Sequence, residues 1–168
     1  MEKYNTLLEL TIHRYDELNN RNSLIDNKNK SMIAFVGVLL SLEVNVVPTI
    51  LNMLNQASTG IKDVIVVLII LSICCYLISI INFIAAINYI TTFSEAPIVD
   101  ELIQDDKNEK ETEEIIAKNI NAFNNCIKNN NKIIESKTNK AIEGFNFLKY
   151  GVIITVISII LFIIVIWR

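Results

Sequence analysis

Three long apolar blocks constrain the fold of this chain more than any other feature of its sequence. They cover residues 31–54, 64–91 and 150–167. A helix needs about 20 mostly apolar residues to cross the hydrocarbon core of a bilayer, and each block is close to that length or exceeds it. Hydrophobic residues make up 52% of the chain and charged residues only 20%, a composition that excludes an ordinary soluble domain. The sequence therefore predicts an all-α membrane protein with three transmembrane helices.

The distribution of Lys and Arg predicts how the spans are oriented. Residues 1–30 carry five of these side chains and residues 92–149 carry eight, whereas the other side of the spans has only Lys62 and Arg168. Because cytoplasmic segments are enriched in Lys and Arg, we expect a cytoplasmic N-terminus and an external C-terminus in the inner (plasma) membrane. The predicted segments are a cytoplasmic helix (1–30), span one (31–54), an external loop (55–63), span two (64–91), a cytoplasmic helical region (92–149) and span three (150–167).

Both cytoplasmic segments carry a seam of side chains at alternating steps of three and four residues. This spacing is typical of a coiled coil. The members are Leu8, Thr11, Tyr15, Leu18, Asn22 and Ile25 in the first segment, and Ile116, Ile120, Phe123, Ile127, Asn130 and Ile134 in the second. We expect a helical stalk. Since one protomer has too little soluble mass for a core of its own, the seams predict a homo-oligomer, for example a tetramer.

Residue patterns that would indicate an enzyme are missing from the sequence. His13 is the only histidine, the four glycines are scattered, and the three cysteines form no Cys-x-x-Cys pair. A multi-histidine metal site and a phosphate-binding glycine loop are therefore excluded, and little remains for acid–base chemistry. We expect no catalytic residue, no cofactor and no metal.

The polar residues of span two follow one face of its helix. Ser72, Cys75, Ser79 and Asn82 recur at steps of three, four and three residues. Small residues let helix backbones approach closely in lipid, so this face is expected either to pack against another helix or to form the wall of a water-filled path. The sequence leaves both interpretations open.

Span one carries a second set of polar residues. Ser41 and Asn45 share a face with Asn52, but Glu43 lies about 200° from Ser41 around the helix. Carboxylates inside a membrane usually face a bundle interior or an aqueous cavity, although Glu43 would instead approach the outer headgroups if the span ended early. The candidate pore-lining residues are therefore Ser41, Glu43, Asn45, Ser72, Cys75, Ser79 and Asn82, with Glu43 as an outer-mouth carboxylate.

Span three contains few polar side chains. Only Thr155 and Ser158 interrupt its apolar run. A helix that is apolar on nearly every face suits contact with lipid. We therefore expect span three to face the lipid, and spans one and two to lie near any oligomer axis.

Basic residues recur every seven positions along the N-terminal helix, at Arg14, Arg21 and Lys28. The ordinary interpretation is solvated surface, with Lys28 meeting anionic headgroups. In a symmetric oligomer, however, the stripe would repeat as a ring suited to a phosphate-bearing ligand. The candidate residues for binding an anionic ligand are Arg14, Arg21, Lys28, Lys132, Lys137 and Lys140.

The order of segments resembles the transmembrane effectors of bacterial anti-phage nucleotide signalling. Pycsar-type membrane effectors are similar in architecture, and the Hailong-type effector channel belongs to the same functional class. The resemblance covers the whole chain as architecture and depends on Asp26 and Lys28 of "LIDNKNKSMIAF" and on "SKTNKAIEGFNFLKYGVII" before span three. Asn29 stands where a small residue is expected, and Thr138 where an aromatic residue is usual.

This resemblance implies a membrane effector that is controlled by a ligand. A nucleotide or short oligonucleotide made by a partner nucleotidyltransferase would control an ion-conducting pore that depolarises the infected cell. In the Hailong-type case the ligand is a DNA oligomer that holds the channel shut. Two alternatives remain open at this point: a non-conducting membrane scaffold whose cytoplasmic helices dock a partner protein, and a holin-like toxin without a ligand.

Overall fold

A computed structural model describes residues 2–54, 59–89, 93–95 and 109–167 of the chain. In this part of the chain all regular secondary structure is helical. The helices are α1 (Glu2–Leu54), α2 (Thr59–Ile87) and α3 (Glu109–Ile166). Each contains a stretch long and apolar enough to cross a membrane. The predicted all-α class with three helices of membrane-spanning length is confirmed.

The helix ends differ from the predicted segment boundaries. α2 begins at Thr59, so the second half of the predicted 55–63 loop is helical, and residues 55–58 lie outside the described part. Gly60 disfavours a helix most strongly there, and one glycine costs a helix about 1 kcal/mol, which the apolar run that follows offsets. α1 continues through Pro48, which has no N–H to donate to the carbonyl of Val44.

The chain divides into two compact units. The polar unit comprises the described parts of residues 1–26 and 89–137. The apolar unit comprises the described parts of residues 27–88 and 138–168. α1 and α3 each contribute to both units, whereas α2 lies wholly in the apolar unit.

In the polar unit α1 packs against α3. Tyr15 meets Phe123 edge to face with ring centroids 5.6 Å apart, and Leu18, Ile127 and Ile134 complete the buried cluster. The members of both predicted seams are the buried or half-buried positions of their helices. The two seams therefore pack against each other within one chain. The sequence had led us to expect that they need a second copy, but this packing does not require one.

Within the polar unit, Asn130 of α3 holds the segment 93–95 through Ser94. The Ser94 N–H donates to Asn130 Oδ1 at 2.8 Å, and Asn130 Nδ2 donates to the Ser94 carbonyl at 3.1 Å. The Tyr15 hydroxyl donates to the same carbonyl at 3.0 Å. Asn130 is fully buried, so this reciprocal pair satisfies its amide inside the unit.

In the apolar unit α2 packs against both other helices. Val36 of α1 and Leu148 of α3 contact Tyr76 and Phe83 of α2, and a second cluster surrounds Ile65. Gly151 permits the close approach of α3, since a Cβ there would lie 2.7 Å from Tyr76 Cε1. The outward surface is covered with large apolar side chains, as expected of a unit that meets lipid; examples are Val38, Leu42, Ile70, Ile81, Ile157 and Ile160.

Candidate functional site

Glu43 faces the interior of the apolar unit. Position 43 is seven residues from buried Val36 and so lies within about 20° of it around α1. The Ser72 hydroxyl of α2 donates a hydrogen bond to Glu43 Oε1. The other carboxylate oxygen, Oε2, is buried and has no hydrogen-bond partner. The structure therefore places this carboxylate against α2, on the side of α1 opposite to Ser41.

Two hydroxyl groups lie beside this carboxylate. The Tyr76 hydroxyl and Thr155 Oγ1 are 3.0 Å apart, and Thr155 Oγ1 is also 3.0 Å from the carbonyl oxygen of Gly151, to which it donates. Ser72 Oγ is within hydrogen-bond distance of both Glu43 and the Ile69 carbonyl, but a hydroxyl has one hydrogen and can donate to only one of them. Glu43 therefore has few donors available to it.

A cavity of about 210 Å³ opens next to Glu43. Its polar lining consists of Glu43, Tyr76, Thr155 and Ser158. The rest of the wall is aliphatic and consists of Leu39, Leu42, Val46, Val47, Ile50, Ile65, Ile69 and Ile159. A mostly apolar concavity with a few convergent polar groups is the usual form of a small-ligand site.

The polar stripe of span two is largely buried within the apolar unit. Ser72, Cys75 and Ser79 are buried, and the Ser79 hydroxyl donates to the Gly144 carbonyl at 2.8 Å. Asn82 is half-buried and donates to the Ile78 carbonyl of its own helix at 3.0 Å. For the three buried residues this placement favours helix packing over the wall of a water-filled path.

The polar residues on the opposite face of α1 are uncovered. Asn45 lies nine residues from buried Val36, which is about 180° around the helix. Ser41, Asn45 and Asn52 are all exposed, and a Cβ added at Gly37 would meet nothing within 4 Å. We call Ser41, Asn45 and Asn52 the outer polar face. α1 therefore carries polar groups on two opposite sides, and among the described residues only the Glu43 side packs against another helix.

Arg14 and Arg21 line a cavity of about 230 Å³ on the polar unit. Glu17, Leu18 and Asn131 complete its lining. Both arginines are exposed, as are Lys28 and Lys132 among the other basic candidates. Two guanidinium groups and an amide can bind a phosphate, although Glu17 between them opposes an anion.

Lys137 is occupied by other residues of the polar unit. Its ammonium donates to Asp26 Oδ1 at 2.9 Å and Oδ2 at 3.0 Å, and to Asn22 Oδ1 at 2.9 Å. The side chain is buried and its charge is balanced by Asp26, so Lys137 is not available to an anionic ligand and the expectation for it is corrected. The exposed Lys140 is paired with Glu143 at 2.7 Å.

The sequence did not single out Tyr76, Thr155 or Ser158 as members of a site. Thr155 and Ser158 are the only polar residues of span three and lie three residues apart, hence on one helix face. That spacing was the available signal that the face packs inward. The described residues contain no group of three or more His, Cys, Asp or Glu side chains able to hold a metal.

Comparison with protein-family models, curated proteins and solved structures finds no match to this chain.

Proposed function

We propose that the chain is a subunit of an oligomeric membrane pore, and that a nucleotide or short oligonucleotide made by a partner nucleotidyltransferase controls it through the polar unit. The pore depolarises the cell during anti-phage defence. The polar unit lies in the cytoplasm, as the excess of Lys and Arg favours. The observation that carries this proposal is the outer polar face of α1, which no other part of the described chain covers.

The outer polar face is costly in a lipid environment. Amides and hydroxyls in hydrocarbon lose their hydrogen bonds to water and stay there only next to protein or a water-filled cavity. Copies of α1 arranged around an axis bring these faces together and line a polar path. Gly37 and Ser41, four residues apart, are small enough for the backbones of neighbouring copies to approach closely.

The control site is the arginine-lined cavity of the polar unit. Arg14 and Arg21 are seven residues, or about 10.5 Å, apart along α1, a spacing suited to more than one phosphate group. An oligomer repeats this pair in every subunit, so a nucleic acid fragment meets a ring of guanidinium groups. The resemblance to nucleotide-signalling effectors supplies the class of ligand.

Cysteine accessibility tests the pore. In a background where the three native cysteines are replaced by alanine, Asn45→Cys and Val44→Cys are compared in planar bilayers. Val44 is also exposed but lies one residue away, about 100° around α1, and thus at the same depth. A charged methanethiosulfonate reagent is expected to block the current of Asn45→Cys and to leave Val44→Cys unchanged. Absence of current from the parent protein, or equal block of both variants, would reject this pore.

The control site has its own test in cells. The double variant Arg14→Ala/Arg21→Ala is expected to abolish the response of membrane potential to co-expression of the partner nucleotidyltransferase. Lys118→Ala, which removes another exposed cation of the polar unit, is the matched control and should respond normally. A normal response of the double variant would favour the holin-like alternative, since that toxin needs no ligand.

A further inference from the structure

The Glu43 carboxylate is poorly solvated by the protein around it. Ser72 is the donor bonded to Oε1, and Oε2 is buried without a partner. Shielding a carboxylate oxygen from water without giving it a hydrogen-bond partner is unfavourable, and a cation next to the carboxylate would offset that penalty. The cavity beside Glu43 is where such a cation can be placed.

The size and lining of the cavity indicate what kind of cation fits. Its volume of about 210 Å³ equals roughly seven waters at about 30 Å³ each, far more than one bare metal ion occupies. Glu43 is the only carboxylate among its lining residues, and most of the wall is aliphatic. Hard metal ions need several oxygen ligands. An apolar body with a single cationic head matches this cavity better.

We propose that the cavity binds a small lipophilic ammonium compound, with the ammonium paired to Glu43 and the hydrocarbon body against the aliphatic wall. An ammonium has three donors, and the hydroxyl oxygens of Tyr76 and Thr155 are acceptors in the same lining. Leu42, Val46 and Ile159 line the cavity and are also exposed, so the compound enters from the surrounding hydrocarbon. The site lies within one chain and does not depend on the proposed pore.

Calorimetry on the full chain in a neutral maltoside detergent tests the site. The probe is 1-aminoadamantane, and 1-adamantanol is its neutral counterpart of nearly the same shape. Saturable binding of the amine is expected, with the alcohol at least about tenfold weaker. Glu43→Gln is expected to weaken amine binding about ten- to a hundredfold, the range for losing a hydrogen bond to a charged group. Glu143→Gln, which neutralises an exposed carboxylate, should bind the amine like the parent chain.

A second variant keeps the proposal open to refutation if Glu43→Gln fails to fold. Val46→Phe fills part of the cavity and leaves the carboxylate in place, so it should also lose amine binding; circular dichroism checks that its helices are retained. Three results would each overturn the proposal: no binding of the amine, equal binding of amine and alcohol, or unchanged binding by Val46→Phe.

Discussion

The two units of the molecule treat their buried polar groups differently. In the polar unit the Lys137 ammonium meets three acceptor oxygens, and the Asn130 amide makes a reciprocal pair with Ser94. In the apolar unit Glu43 Oε2 and Asn29 Nδ2 are buried without a partner. Among the described residues these are the two side-chain atoms in that condition, and both belong to the apolar unit.

This difference distinguishes buried polar groups that are fully hydrogen-bonded within the protein from those that can still bind a ligand. A fully paired buried group fixes how two helices align, because shifting one helix breaks the bonds. A buried group without a partner lowers stability, so its presence needs another explanation, such as strain, a bound water or ion, or a functional role. The polar unit thus uses Lys137 to align α1 with α3, while Glu43 retains an unused acceptor beside a cavity.

The largest expected effect comes from breaking the buried ion pair. Lys137→Met leaves the Asp26 carboxylate, whose side chain is 24% exposed, without its cation. Removing one partner of a buried pair typically costs about 3–5 kcal/mol, and the partial exposure of Asp26 favours about 3 kcal/mol. Denaturant titration of helicity in micelles measures the free energy of unfolding. The double variant Lys137→Met/Asp26→Leu should recover most of the loss, and a single-variant loss below about 1 kcal/mol would contradict this role.

The same substitution in each unit tests the comparison directly. Asn130→Leu removes two hydrogen bonds and should cost about 2 kcal/mol of unfolding free energy. Asn29→Leu removes an amide whose Nδ2 is already buried without a partner, so it should cost less unfolding free energy than Asn130→Leu. Both residues are almost completely buried, which makes them a matched pair. Equal losses of unfolding free energy in the two variants would mean that the hydrogen bonding of buried polar groups does not distinguish the two units.

Crowding Tyr76 tests the support of the Glu43 site. A Cβ at Gly151 would lie 2.7 Å from Tyr76 Cε1, so Gly151→Ala must displace the ring and weaken its contact with Thr155. Overpacking costs about 1–3 kcal/mol, and the better helix propensity of alanine returns about 1, so we expect a net loss near 1 kcal/mol. Gly37→Ala, at an open position, is the control and should not lose stability in the same thermal unfolding assay.

The smallest effect is expected at the exposed ion pair. Lys140 and Glu143 are 2.7 Å apart, but both side chains are more than 40% exposed. Water and salt screen such pairs, so Lys140→Met should change the free energy of unfolding by less than about 0.5 kcal/mol. A loss comparable to that of Lys137→Met would show that burial does not separate the two lysines.

Much of the fold could be predicted from local patterns. The apolar blocks fixed the number of membrane-length helices, and the steps of three and four residues identified the buried faces of Tyr15 and Phe123. Helix ends were less predictable, because α2 extends back to Thr59 past Gly60. Gly60 does not prevent α2 from starting at Thr59, and Pro48 does not end α1, because long apolar stretches stabilise both helices.

The site was harder to predict because its parts are distant in sequence. The paired residues Asp26 and Lys137, for example, are 111 residues apart. Asp26 lies in "LIDNKNKSMIAF" and Lys137 in "SKTNKAIEGFNFLKYGVII", the two segments on which the resemblance depends. The sequence could place Glu43 opposite Ser41, but periodicity does not reveal which helix a face meets. The sequence therefore predicts that span three faces lipid, although Thr155 of that span lies in the lining beside Glu43.

Pro48 leaves a backbone carbonyl of α1 without its helical hydrogen bond, and side-chain substitutions at the outer polar face do not remove this polar group. Because proline has no N–H, the Val44 carbonyl lacks its usual donor one turn along α1, next to Asn45. A backbone oxygen of this kind attracts a water molecule wherever water can reach it. An isotope label at the Val44 carbonyl would therefore report hydration of the helix by its infrared frequency, even in a variant whose Asn45 has been replaced by leucine.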